Sequence, residues 1–295
     1  MTRKRNDWLA GMLIVLVLLV SIFVLSFLAS HRRSGKMVRI ASGGQKVAVV
    51  ELWGTIYNAN RIVRELKLFG EQKTIKAIVL RIDSPGGAVA SAQEIYNAVR
   101  RVRDAGKPIV ISMGNVAASG GYYAACGGDT IMANAGTTTG SIGVIVEIPS
   151  IEKLLEKLGI QVDVVKSGLF KDTGSPHRPL SEEEKAYLQS WVNDAYLQFV
   201  EVVARERRMP RRRVLELADG RVFTGKQAKA AGLVDVLGDF EDAVDLAARM
   251  GGIKGKPTVV KMGPRRITVF DLLLQESEHW IRGTNRAHLM YKMAF

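Results

Sequence analysis

The chain has 295 residues, 47% hydrophobic and 24% charged, with 29 glycines against 8 prolines; that balance excludes a disordered or fibrous class and suits a globular α/β protein rich in turns. One cysteine, Cys126, excludes a disulfide framework and a thiolate zinc site, and its apolar small-residue setting, YYAACGG, reads as a packed thiol. Of the net charge of +13, residues 1–36 hold +5 and the remainder is concentrated in 205–213 (RERRMPRRR), a run that reads first as a solvated helix face and next as a contact for anionic lipid; no zinc finger, RNP motif or basic zipper accompanies it, so nucleic acid is set aside.

Residues 8–29, WLAGMLIVLVLLVSIFVLSFLA, are uncharged. As a helix they would reach about 33 Å, enough for a hydrocarbon core of roughly 30 Å. A cleaved secretory signal would have a shorter apolar region and a small-x-small end, so residues 1–30 are expected to be a short stub and a retained membrane anchor. Arg3, Lys4 and Arg5 precede the span and Arg32, Arg33 and Lys36 follow it, so charge alone leaves the orientation open. Residues 31–45 are basic, Gly/Ser-rich and aperiodic, as a tether would be.

From residue 46 the pattern alternates between strand and helix. KVAVVELWGTI (46–56) is a strand, 59–69 has helical spacing, TIKAIVLRID (74–83) is a second strand, and 88–104 a helix. PIVISM (108–113) is a third strand, followed by a short helix opening near Ser119. DTIMA, SIGVIVE and QVDVVKS are expected as further short strands, with a helix at 150–158 between the last two. This alternation indicates parallel pairing through crossover helices. After Ser181 the chain turns helical, with a Ser cap and acids in the first turn. A catalytic α/β domain over 46–250 and a C-terminal extension over 251–295 are the expected divisions.

Three Gly-rich turns follow expected strands. Asp83-Ser84-Pro85-Gly86-Gly87 opens a helix, where backbone N–H groups can face an anion. Ala117-Ala118-Ser119-Gly120-Gly121 leaves the Ser119 hydroxyl uncrowded between small residues, a relative of the nucleophile elbow without its G-x-S-x-G spacing. The third is Gly140-Ser141-Ile142-Gly143. A serine nucleophile needs a base. His31 abuts the apolar span and His279 and His288 fall outside the α/β alternation, which leaves His177 as the histidine candidate. Lysine can also serve where burial and neighbours keep its amine neutral, and Lys166 and Lys171 flank Ser167-Gly168-Leu169-Phe170.

The pieces IDSPGG (82–87), NVAASGGYYAAC (115–126), TTTGSIGV (137–144), KSGLFKDTGSPHRPLSEEE (166–184) and ADGRVFTGKQAKAAGLVDVLG (218–238) resemble, in this order, the motifs of the signal peptide peptidase A family, the Ser–Lys membrane peptidases of bacteria and archaea. The likeness spans about residues 46–250 and matches the shorter family form, with one catalytic unit and one span. It implies a crotonase-like or ClpP-like α/β superfold. It further implies Ser119 as nucleophile, Lys171 rather than Lys166 as general base, Ser141 as the hydroxyl orienting that amine, and Gly86 and Gly120 as oxyanion-hole donors. No metal or cofactor is implied. Signal peptides would be the substrates, and the chain would form a homo-oligomer on the cytoplasmic membrane with its catalytic domain outside the cytoplasm. Two rivals share the fold: a crotonase-like acyl-CoA enzyme and an inactive membrane scaffold.

Overall fold

The computed structural model describes residues 44–263 and 290–292. The expected anchor, His31, His279, His288 and most of the tether and C-terminal extension lie outside the described residues. Among the described residues, no helix is long and apolar enough to cross a membrane.

The backbone of the structure is a mixed sheet. Its strands are β1 (Lys46–Trp53), β2 (Ile75–Ser84), β4 (Ile109–Ala118), β5 (Thr130–Ala133), β6 (Thr138–Gly140), β7 (Val222–Thr224), β8 (Val236–Leu237) and β9 (Thr258–Lys261). They run in the order β7-β6-β4-β2-β1-β9, with β5 paired to β4 and to β8. All these pairings are parallel except β6 with β7. Strand β9, in the stretch expected as an extension, continues the sheet beyond β1. A second, two-stranded ladder joins β3 (Gly86–Ala88) antiparallel to β10 (Met290–Lys292).

The apolar runs of β1 and β2 are continuous because both faces are covered, as parallel sheets require. Val47, Val49, Ala77 and Val79 pack on one side with Ala243, Val244 and Ala247 of helix α8 (Phe240–Met250). On the other side Ala48, Val50, Ile78 and Leu80 meet α1 (Asn60–Glu71) through Ile62 and Leu66, and α2 (Val89–Asp104) through Ile95 and Val99. The remaining helices are α3 (Gly120–Ala125), α4 (Glu152–Lys157), α5 (Glu182–Glu206), α6 (Arg211–Leu217) and α7 (Gly225–Ala230).

Two expected strands do not form. In SIGVIVE the strand has already ended at Gly140, and Ser141 adopts a φ of 49° that no strand can continue through. QVDVVKS is exposed throughout; Val165 is fully exposed, so its β-branched residues have no layer to pack against. The basic run is less free than its composition suggests. Arg205 donates to the Tyr96 hydroxyl, Arg207 pairs with Asp235, Arg211 with Glu201, and Arg212 and Arg213 with Glu216.

Candidate active site

Strand β4 changes partner along its length. Its first half, 110–113, pairs with β5, and its second half, 116–118, pairs with β6. The break is held from β2, whose own register against β4 shifts between Ile82 and Ser84. There the Asp83 carboxylate accepts hydrogen bonds from the backbone N–H groups of Asn115 (3.2 Å) and Val116 (3.2 Å) and from the Asn115 side chain (3.1 Å). Gly114 is required beside it, since a Cβ at that position would lie 2.5 Å from Asp83 Oδ2. The bend aims the end of β4, and so Ser119, at the end of β6.

Ser119 occupies the step between β4 and α3 with φ 53° and ψ −117°. Among the described residues only Ser119, Ser141 and Arg208 are non-glycine positions with positive φ. Two of the three are thus the serines singled out in the sequence, and strain of this kind collects at functional sites. They are neighbours: Ala118 pairs with Gly140, and the Ser119 N–H donates to the Gly140 carbonyl at 2.8 Å. Ser141 is held in turn by its N–H donating to the Arg221 carbonyl at 2.8 Å. Ser119 is wholly buried and its Oγ has no hydrogen-bond partner. A buried hydroxyl without a partner is costly to the fold, and groups of this kind call for a functional explanation.

Around this hydroxyl the backbone is rich in donors. As the first residues of α3, Gly120 and Gly121 have N–H groups with no acceptor inside their helix. The 84–88 turn is stitched to 54–56: Gly86 accepts from Ile56 N at 2.8 Å, and Ala88 donates to Ile56 O at 2.7 Å. The Gly86 N–H itself donates to Ser84 Oγ at 3.1 Å. Because alternate residues of an extended strand face opposite edges, the N–H of Gly87 turns away from Ile56, toward the edge where β10 pairs. Gly87 was not singled out in the sequence; that alternation was the signal available for it.

None of the candidate bases is hydrogen-bonded to Ser119. Lys171 is exposed and its amine has no hydrogen bond to Ser119 or Ser141. Lys166 is engaged, its Nζ donating to Asp172 at 2.6 Å and to the Leu169 carbonyl at 3.0 Å. Taking a proton from serine would require Lys166 to abandon that carboxylate, whereas Lys171 has no such commitment. His177 is exposed in the following turn. Cys126 is no rival nucleophile: burial pushes its thiol up to about 12. Among the described residues no cluster of His, Cys, Asp and Glu could hold a metal ion.

The model of peptidase family S49 matches residues 101–254, and that of the Clp protease family matches residues 43–139. A protein of Synechocystis named as a protease is 46% identical, covering 71% of this chain and 76% of that protein. An Enterococcus faecium protein named as a signal peptide peptidase is 44% identical over 64% of this chain and 55% of its own length. Protease 4 of Salmonella typhi is 40% identical over 64% of this chain and 32% of its own length. The mixed α/β sheet is consistent with the ClpP-like superfold expected from the motifs.

Proposed function

This chain belongs to peptidase family S49, and on that premise we propose that it is a membrane-anchored serine endopeptidase in which Ser119 attacks a peptide carbonyl and Lys171 carries the proton. The observation that carries the reading is the buried, partnerless hydroxyl of Ser119 on a strained strand-to-helix step beside Ser141. Neutral Lys171 accepts the hydroxyl proton, and the Ser141 hydroxyl orients the amine. The oxyanion is received by N–H groups of Gly120 and of the 86–87 turn; one such donor can be worth roughly 3–4 kcal/mol. Lys171 then protonates the leaving amine, and water releases the acyl-enzyme.

The substrate enters as an added strand. Residues 290–292 already occupy the edge of β3 in antiparallel register, which supports a binding mode in which an extended peptide pairs with Gly86–Ala88 and runs past Ser119. Signal peptides and other apolar peptides are the substrate class, supported by the name of the Enterococcus relative and by the uncharged span at 8–29. Such a span would hold the catalytic domain at the outer face of the cytoplasmic membrane, where those peptides remain.

The dyad closes between copies of the chain. Lys171 follows a stretch in which Leu154, Leu158, Ile160, Val162, Val164 and Leu169 are all exposed, an apolar face suited to a neighbouring subunit. Family membership favours peptide hydrolysis over acyl-CoA chemistry, and the poised Ser119 favours an enzyme over a scaffold. The test is cleavage of an apolar signal peptide by the full chain. Ser119→Ala and Lys171→Ala are each expected to lower kcat/KM by roughly 10⁴-fold or more. Full activity in Lys171→Ala would leave a peptidase without this base.

A further inference from the structure

Residues 160–171 contain no regular secondary structure, and all of them are exposed. A catalytic base must nevertheless be held to within about 0.5 Å of its working position. The tie begins at Asp172, the next residue after Lys171. Its carboxylate accepts from Lys166 Nζ at 2.6 Å and from Arg178 Nε at 3.0 Å. The same guanidinium forks onto Glu184, with Nη1 donating to Oε2 at 2.8 Å and Nη2 to Oε1 at 2.6 Å, and Nη1 also meets the Pro179 carbonyl at 3.0 Å.

Glu184 is a firm post. Its side chain is 3% exposed. Each oxygen has a second donor, Thr173 Oγ1 at 3.0 Å and Ser181 N at 2.9 Å. It is also the third residue of the 25-residue helix α5 and closes a capping box with Ser181. Charges alternate along the whole path, Lys166, Asp172, Arg178, Glu184, so none is left uncompensated. Only a planar guanidinium can serve two carboxylates on different edges at once; an ammonium on a flexible stem cannot hold that geometry.

We infer that Arg178 is a positioning residue for Lys171, bracing the segment that carries the base against the first turn of α5. The inference rests on the reading of Lys171 as general base. Arg178 touches neither Ser119 nor the oxyanion turn and acts only through Asp172. Its loss frees the segment without altering the amine itself.

The test measures kcat, KM and the unfolding midpoint for the full membrane-bound chain on one apolar peptide. Arg178→Ala strands a buried carboxylate and can unfold the region, so the deciding variant is the pair Arg178→Ala/Glu184→Gln, which removes the stranded charge. With an unfolding midpoint near that of the wild type, this pair is expected to lose roughly 10–100-fold in kcat with KM changed less than about twofold. Arg178→Lys is expected to recover only part of the loss. Wild-type kcat in the paired variant, or a loss confined to KM, overturns the inference. Lys171→Ala run alongside separates the two claims. If it is inactive while the Arg178 variants are fully active, only the bracing role fails; if it is fully active, the base assignment fails and the bracing role with it.

Discussion

Ser119 is held in a backbone conformation that costs an L-residue about 1–3 kcal/mol, with its hydroxyl buried and unbonded. Neither feature helps the fold. Replacing Ser119 by glycine relieves the φ of 53°, at a cost of roughly 0.5–1 kcal/mol in unfolded-chain entropy. Ser119→Gly is therefore expected to be inactive yet about 1 kcal/mol more stable than Ser119→Ala in denaturant titration. Ser119→Gly less stable than Ser119→Ala by that entropy cost would show that the elbow is unstrained. At Glu184 the sign is different. The Arg178 guanidinium holds its carboxyl down to about 2. A depressed carboxyl stabilises the fold fully above its unfolded value of about 4.3 and loses that contribution as pH falls toward about 2. Unfolding midpoints of wild type and Glu184→Gln are expected to differ at pH 6 and to converge only as pH falls to about 2.

At the scale of elements, the central strands were legible because each is a long apolar run covered on both faces, and α5 because Ser181 and its acidic first turn announce a cap. QVDVVKS carries the same β-branched signal and is not a strand, since a propensity is realised only against a neighbouring strand or layer. Strands β7 and β8, three and two residues long, exist through pairing alone and leave no periodic trace. The site followed the same division. Small residues around Ser119 and the paired glycines were readable from type and order. The strained φ of Ser119 and the Asp83 clamp on β4 depend on parts brought together from far along the chain, and the Arg178 pairing, though its carboxylate partners are close in sequence, depends on the fold of an irregular turn that leaves no periodic trace. Gly87 shows how tightly one such junction is built: a Cβ there would lie 2.2 Å from the Ile56 carbonyl oxygen. Gly87→Ala is expected to cost about 1–3 kcal/mol in stability and, on the proposed mechanism, most of the activity, because the 84–88 turn must move. Wild-type kcat/KM in that variant would remove the turn from the mechanism.

For the whole molecule, the proposed dyad joins an exposed Lys171 to a buried Ser119, and on that proposal the site is completed by association. Ser119→Ala and Lys171→Ala chains, each inactive alone, are expected to regain activity when co-assembled, because a mixed assembly contains some junctions with both groups intact. With two subunits per junction and random mixing in equal amounts, roughly a quarter of the junctions would be restored. No recovery after verified co-assembly would place both groups in the same subunit.

The ladder between β3 and β10 has a further effect on what the enzyme accepts. A strand edge holds one guest at a time, so on the proposed binding mode an incoming peptide would first have to evict residues 290–292. Short peptides offer too few backbone bonds to win that exchange, while long unstructured ones do. Folded proteins, whose strands are already paired, would not compete. Selectivity for unfolded, extended chains would then arise at the doorway, before any side-chain pocket is consulted.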